Sequence, residues 1–269
     1  MALAMPDGSI TPETAWAALT RELDAWSTEG RTASFWWRDD DASEPTQALD
    51  ALLEIQGETG VPLALAVVPA TATGALRDKL SRSGDVTVLQ HGYSHKNFAS
   101  DGARKIELDG SRPAEYVIAD LAMGAQALSR FEAHLPVLVP PWNRMAPHLV
   151  PLLPEIGFRG LSTNGIRARD FPVRGLVQNN VHLDVIDWRG RRTGSPRNFL
   201  GAENVISDAI EHLTARRTGA ADTSEVTGLM THHADMGADA IGFVVEFVTR
   251  TNAHPAVSWL PANEVFSVS

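Results

Sequence analysis

The run Val86-Thr87-Val88-Leu89-Gln90-His91-Gly92-Tyr93-Ser94-His95-Lys96-Asn97 decides how the rest of the chain is read. Its opening is apolar and β-branched, the composition of a buried strand. Two histidines four residues apart follow just past that strand's end. Four residues is about one helical turn, so a chain that curls here puts both imidazoles on one face, where they can share a metal ion. Alone, the pair is half a site, and one locally bonded histidine beside one surface histidine is the plainer account. Its meaning depends on what stands at equivalent places elsewhere.

Working outward, the same pattern of apolar strand, polar end and helix recurs. Ala33–Arg38 ends in Asp39-Asp40-Asp41, and Pro136–Val139 ends in Pro140-Pro141-Trp142-Asn143. His182–Ile186 runs into Asp187-Trp188, and Val226–Thr231 into His232-His233. Pro62–Val68, Phe158–Ser162 and Val257–Leu260 also read as strands, with helical patterns over 45–58, 73–81, 114–131, 148–156, 204–216 and 239–252 between them. Thr11-Pro12-Glu13 is a helix start, and Trp16, Leu19, Leu23 and Trp26 recur at helical spacing, which predicts an N-terminal outer helix over 11–28. Strands alternating with helices imply a parallel sheet with right-handed crossovers. The expected fold is therefore α/β: a distorted (β/α) barrel of about seven to eight parallel strands, with its active site at the C-terminal strand ends. No linker or repeat divides residues 1–269, so a single domain is expected.

Composition narrows the chemistry. A net charge of −10 argues against sequence-independent nucleic-acid binding and against attraction to anionic membranes. With no cysteine in the chain, thiolate nucleophiles, disulfides and Cys-ligated zinc are excluded, and any metal must be held by His, Asp or Glu. The N-terminal Met1–Gly8 stretch has no basic region followed by an apolar run, and no segment approaches the ~20 apolar residues of a membrane span, so a cytoplasmic location is the expectation. Grouping Asp39-Asp40-Asp41 beside histidines without a cation would be electrostatically costly. As helix-capping acids the aspartates need no metal, but five polar clusters at one end of a barrel point to a site.

These residues resemble the polysaccharide deacetylase family, also called carbohydrate esterase family 4. Its markers, in order, are matched by Asp40-Asp41 (or Asp39-Asp40), His91-Gly92-Tyr93-Ser94-His95, Val139-Pro140-Pro141-Trp142, Asp184-Val185-Ile186-Asp187-Trp188 and Met230-Thr231-His232. The resemblance covers about residues 33–233 and implies a metal-dependent hydrolase removing an acetyl group from an N-acetylated sugar or related amide. It implies Asp41, His91 and His95 as ligands of one divalent metal, Zn2+ first among Zn2+, Co2+, Ni2+ and Mn2+. It implies Asp40 as general base, the Trp142 backbone N–H as oxyanion donor, His232 as general acid and Asp187 as the residue orienting His232. In the other register Asp39 is the base and Asp40 the ligand. The family's motif arginine is replaced by Val139, and Arg38, beside the aspartates, is the candidate substitute.

Tyr93, Asn143, Trp188 and His233 are candidate substrate contacts, although Trp142 and Trp188 could equally be core, and a structural role suits His233. Arg189, Arg191, Arg192 and Arg197 leave the end of the sixth expected strand, where they either form a solvated loop or hold an anionic group of the substrate. The competing class is a barrel that keeps the pocket without the chemistry and serves as a carbohydrate-binding or interaction module; Val139 is its support.

Overall fold

Successive side chains of a strand point to opposite faces, and in the first strand, β1 (Ala33–Ala42), both faces are buried. Phe35 and Trp37 lie beneath the helices, whereas Trp36 lies on the inner side with Ala64, Ala66, Leu89 and Val137. Small residues make room for that indole: a Cβ on Gly228 would stand 2.6 Å from Trp36 Nε1. The computed structural model describes residues 11–268; the Met1–Gly8 stretch lies outside them.

The chain begins with helix α1 (Pro12–Thr28), whose first turn is closed by a reciprocal capping box between Thr11 and Thr14. After β1 come α2 (Gln47–Thr59), β2 (Leu63–Val67), α3 (Gly74–Leu80), β3 (Val86–His91), α4 (Ala114–Leu128) and β4 (His134–Val139). Then follow the short strands β5 (Gly160–Leu161), β6 (Val177–Gln178), β7 (Leu183–Asp184), β8 (Ile186–Asp187) and β9 (Asn198–Phe199). The chain closes with α5 (Ala202–Thr218), β10 (Thr227–Thr231), α6 (Ala238–Asn252), β11 (Val257–Trp259) and α7 (Ala262–Val265).

The main sheet runs β6-β5-β4-β3-β2-β1-β10-β7, with β11 alongside β1, and every pairing in it is parallel. It curls around the inner cluster, and among the described residues its two end strands are not paired with each other, the bridge Asn164–Val181 lying between them. The expected distorted barrel is what the chain forms. Three details differ. The strand expected over His182–Ile186 divides into β7, in the main sheet, and β8, which pairs antiparallel with β9. β6 has too few residues for its pattern to stand out. The helix expected over 148–156 is a 3₁₀ helix over Pro147–Ile156, because Pro151 and Pro154 have no N–H for an α-helical ladder. Among the described residues, no helix is long and apolar enough to cross a membrane.

Candidate functional site

The three aspartates at the end of β1 go to three different places. Asp39, on the outer face with Trp37, accepts hydrogen bonds from Thr231 Oγ1 at 2.7 Å and the His233 N–H at 2.9 Å, and pairs with His233 Nδ1 at 2.5 Å. It ties β1 to the end of β10, and His233 is its structural partner. Burial disfavours the His233 imidazolium, but the Asp39 charge outweighs that and raises its pKa. Asp40 keeps the strand alternation and shares the inner face with Arg38. At Asp41 the alternation breaks: its φ is +73°, the β1–β2 register shifts between Asp39 and Ala42, and its carboxylate swings to the histidine pair. The alternative register, with Asp40 beside the histidines, does not occur.

His91 and His95 meet without the helical turn expected of them. Gly92 and His95 both have left-handed φ, +55° each, and fold the chain tightly. Glu107, buried in the following loop, accepts from the N–H groups of Tyr93 at 3.2 Å and Ser94 at 2.7 Å and so clamps the turn. A Cβ on Gly92 would lie 2.1 Å from Glu107 Oε2, so only glycine fits. The sequence carries no sign of Glu107's role, since its partners, two backbone N–H groups and the Ser94 hydroxyl, lie over a dozen residues away. Tyr93 contributes backbone contacts to this turn: its N–H to Glu107 and its carbonyl to Ala70.

His91 Nδ1 lies 3.0 Å from the Val139 carbonyl, which can only accept, so Nδ1 carries the proton and the Nε2 lone pair is free. That lone pair stands 3.0 Å from Asp41 Oδ1, and His95 Nε2 stands 3.1 Å from the same oxygen. Asp41 Oδ1 is buried and receives no hydrogen bond. Converging electron pairs with a buried unpartnered oxygen between them are what a divalent cation satisfies, and a backbone carbonyl on the far ring nitrogen is the usual orienting contact of a ligating histidine.

Beside this trio lies a buried charge pair. Arg38 Nε is 2.8 Å from Asp40 Oδ1, and Nη2 donates to Asp40 Oδ2 at 2.9 Å. The same guanidinium donates to Ser162 Oγ at 2.8 Å and to Asn143 Oδ1 at 2.6 Å, so Asn143 serves as a brace for Arg38. Val139 is an apolar inner-face residue, and the guanidinium on Asp40 comes from β1 instead. His232 Nε2 is 3.9 Å from Asp40 Oδ2.

The carboxylate next to His232 is not the expected one. Asp187 accepts from the backbone N–H groups of Arg191, Arg192 and Thr193, at 3.0, 2.7 and 2.9 Å, and does not bond His232. The Thr193 N–H, with the other two, holds its carboxyl well below the ordinary range. Asp187 thus shapes the arginine loop. Asp184 lies near enough for the His232 charge to oppose burial, which raises the Asp184 pKa to about 6, but His232 Nδ1 is buried without a hydrogen-bond partner, so neither aspartate bonds it. Asp184 accepts from Trp188 Nε1 at 2.8 Å, and the Trp188 ring meets the His232 ring edge-on at 4.6 Å. The Trp142 ring packs 4.3 Å from the His95 ring, at a residue whose own φ is +54°. Both tryptophans therefore brace histidines.

A second group, His182, His212 and Glu225, has a similar composition and the opposite tautomers. It lies before β7 and β10, at the other end of the sheet. His182 Nδ1 accepts the Gly228 N–H at 3.0 Å, which puts the proton on Nε2, facing Glu225 at 3.2 Å. Thr227 Oγ1 accepts from Arg216 and lies 3.0 Å from His212 Nδ1, so its own proton serves that nitrogen. Both histidines present N–H to the carboxylate, and a metal would need lone pairs there. This is a clamp of two neutral imidazoles on an ionised carboxylate, with consequences for stability. Burial lowers the His212 pKa to about 4, so the unfolded chain binds the proton first and stability falls as pH drops from 6.5 to 4. Relative to His212→Gln, metal-free protein is expected to lose roughly 3 kcal/mol over that window. Chemical denaturation of both at pH 7 and pH 4 reads the difference; equal losses would contradict the clamp.

No family model matches the chain, and no curated protein matches it. Solved structures do. A Mycobacterium smegmatis protein described as a polysaccharide deacetylase superposes with a TM-score of 0.67 at 20% identity, over 88% of this chain and 90% of that one. The chitin deacetylase of Colletotrichum lindemuthianum gives 0.54 at 12% identity, over 89% of each chain. The 4-alpha-glucanotransferase of Thermococcus litoralis gives 0.56 at 13% identity, over 88% of this chain and 40% of that one. The chain shares the fold of polysaccharide deacetylases.

Proposed function

We propose that this protein is a divalent-metal-dependent hydrolase that removes the acetyl group from an N-acetylated sugar or related amide. A glucanotransferase also shares the fold, so the reading rests on the site. The observation that carries it is the convergence of His91 Nε2, whose tautomer leaves a lone pair there, with His95 Nε2 and Asp41 Oδ1, all within 4.8 Å of one another, beside the facing pair Asp40 and His232. Three protein ligands leave coordination positions open, and a divalent ion held there would polarise an amide carbonyl and acidify water. Two histidines and a carboxylate accept Zn2+, with Co2+, Ni2+ and Mn2+ as alternatives.

The chain's own groups supply the remaining steps. Asp40, fixed by the Arg38 fork, takes the proton of the attacking water, and the Trp142 backbone N–H stabilises the developing oxyanion. His232, braced by Trp188 and near Asp184, gives a proton to the departing nitrogen. The binding-module reading drew on Val139, and the Arg38–Asp40 pair removes that support. Chelator-stripped protein titrated with Zn2+ in a calorimeter should bind one equivalent and then release acetate from N-acetylglucosamine oligomers. His91→Ala should abolish both. Failure of the wild type to take up any transition metal would end the proposal.

A further inference from the structure

The protein carries ten surplus negative charges, yet cations crowd one rim of the site. Arg144 directly follows the 141–143 turn that holds Trp142, and its Nη1 donates to the Lys105 carbonyl at 2.8 Å, joining two loops. Lys105 Nζ stands 5.8 Å from the centre of the Trp142 ring, whose other neighbour is the candidate ligand His95. Arg189 follows Trp188, the brace of His232. Partial burial lowers the Arg144 pKa, and the charges of Arg104 and Arg189 lower it further, so both stand near enough to act on its guanidinium.

The arginine loop divides into two kinds of residue. Arg192 pairs with Asp208 at 3.3 Å and Arg197 with Asp235 at 3.6 Å. Among the described residues, Arg104, Lys105, Arg144 and Arg189 have no carboxylate partner in any ion pair. Unpaired like charges held together beside a site raise the local concentration of anions and offer planar, multiple donors to one.

We propose that Arg104, Lys105, Arg144 and Arg189 form an anion subsite on the Trp142 side of the candidate metal site, which receives a carboxylate or phosphate borne by the substrate. The subsite rests on the deacetylase reading only for what else the substrate carries, an acetamide. Two measurements separate the two ideas.

The first needs no turnover. Inorganic phosphate titrated into metal-free protein should quench tryptophan fluorescence saturably, more weakly as salt rises, and Arg144→Gln and Arg189→Gln should each weaken binding about tenfold. Arg189 is exposed, so its variant tests the subsite even if Arg144→Gln fails to fold. The second compares kcat/KM of the Zn2+-loaded enzyme on N-acetylglucosamine, its 6-phosphate and N-acetylmuramic acid. An anionic sugar should be favoured about tenfold or more, with the ratio falling in both variants; which one is favoured tells phosphate from carboxylate. Phosphate binding that both variants leave unchanged, or deacetylation indifferent to substrate charge, would overturn the subsite and leave the hydrolase standing. Arginine-dependent phosphate binding without acetate release from any sugar would do the reverse.

Discussion

Asp40→Asn is expected to lower kcat for acetate release by about a hundred- to ten-thousand-fold, the range in which a positioned general base contributes. Asparagine keeps the size and plane of the group but cannot take a proton. The metal should remain, because the oxygen facing both histidines belongs to Asp41. Zn2+ affinity by calorimetry should therefore hold within a few-fold while turnover collapses, and the loss should appear in kcat rather than KM. A variant that binds Zn2+ and turns over within tenfold of wild type would show that Asp40 is not the base.

How much of this was readable in the residues depends on the range of the interaction. Alternation of strand and helix exposes the barrel because each element is a local pattern. The His91/His95 spacing exposes two of the three members of the candidate metal trio for the same reason. The partner of each group was less visible. Asp187 and Asp184 stand three residues apart around one strand end, and only the break between β7 and β8 decides that Asp184 takes the Trp188 indole while Asp187 caps a loop. The choice among Asp39, Asp40 and Asp41 likewise turns on one left-handed residue, which nothing in a run of three identical side chains reveals. The Val139 carbonyl and the two N–H groups that Glu107 clamps are backbone groups, where side-chain identity carries no signal.

Arg38→Met should produce the largest loss of stability, on the order of 3–5 kcal/mol, because it leaves the Asp40 carboxylate buried without its counter-charge. Both side chains are almost wholly enclosed, at 0% and 1% exposure, so little solvent is available to compensate. The pair is a better test than either residue. With Asp40→Asn added, the uncompensated charge is gone, so the double variant should be more stable than Arg38→Met alone. Arg38→Lys should keep the charge but fail to span Asp40, Ser162 and Asn143 together, restoring stability in part and turnover poorly. Denaturant titrations of the four proteins give the cycle. An Arg38→Met protein as stable and active as wild type would mean that Asp40 needs no partner, and the loss of arginine at Val139 would again count against catalysis. If the cycle closes as expected, the Asp40 carboxylate depends on a guanidinium that β1 itself provides, two residues before it and on the same face.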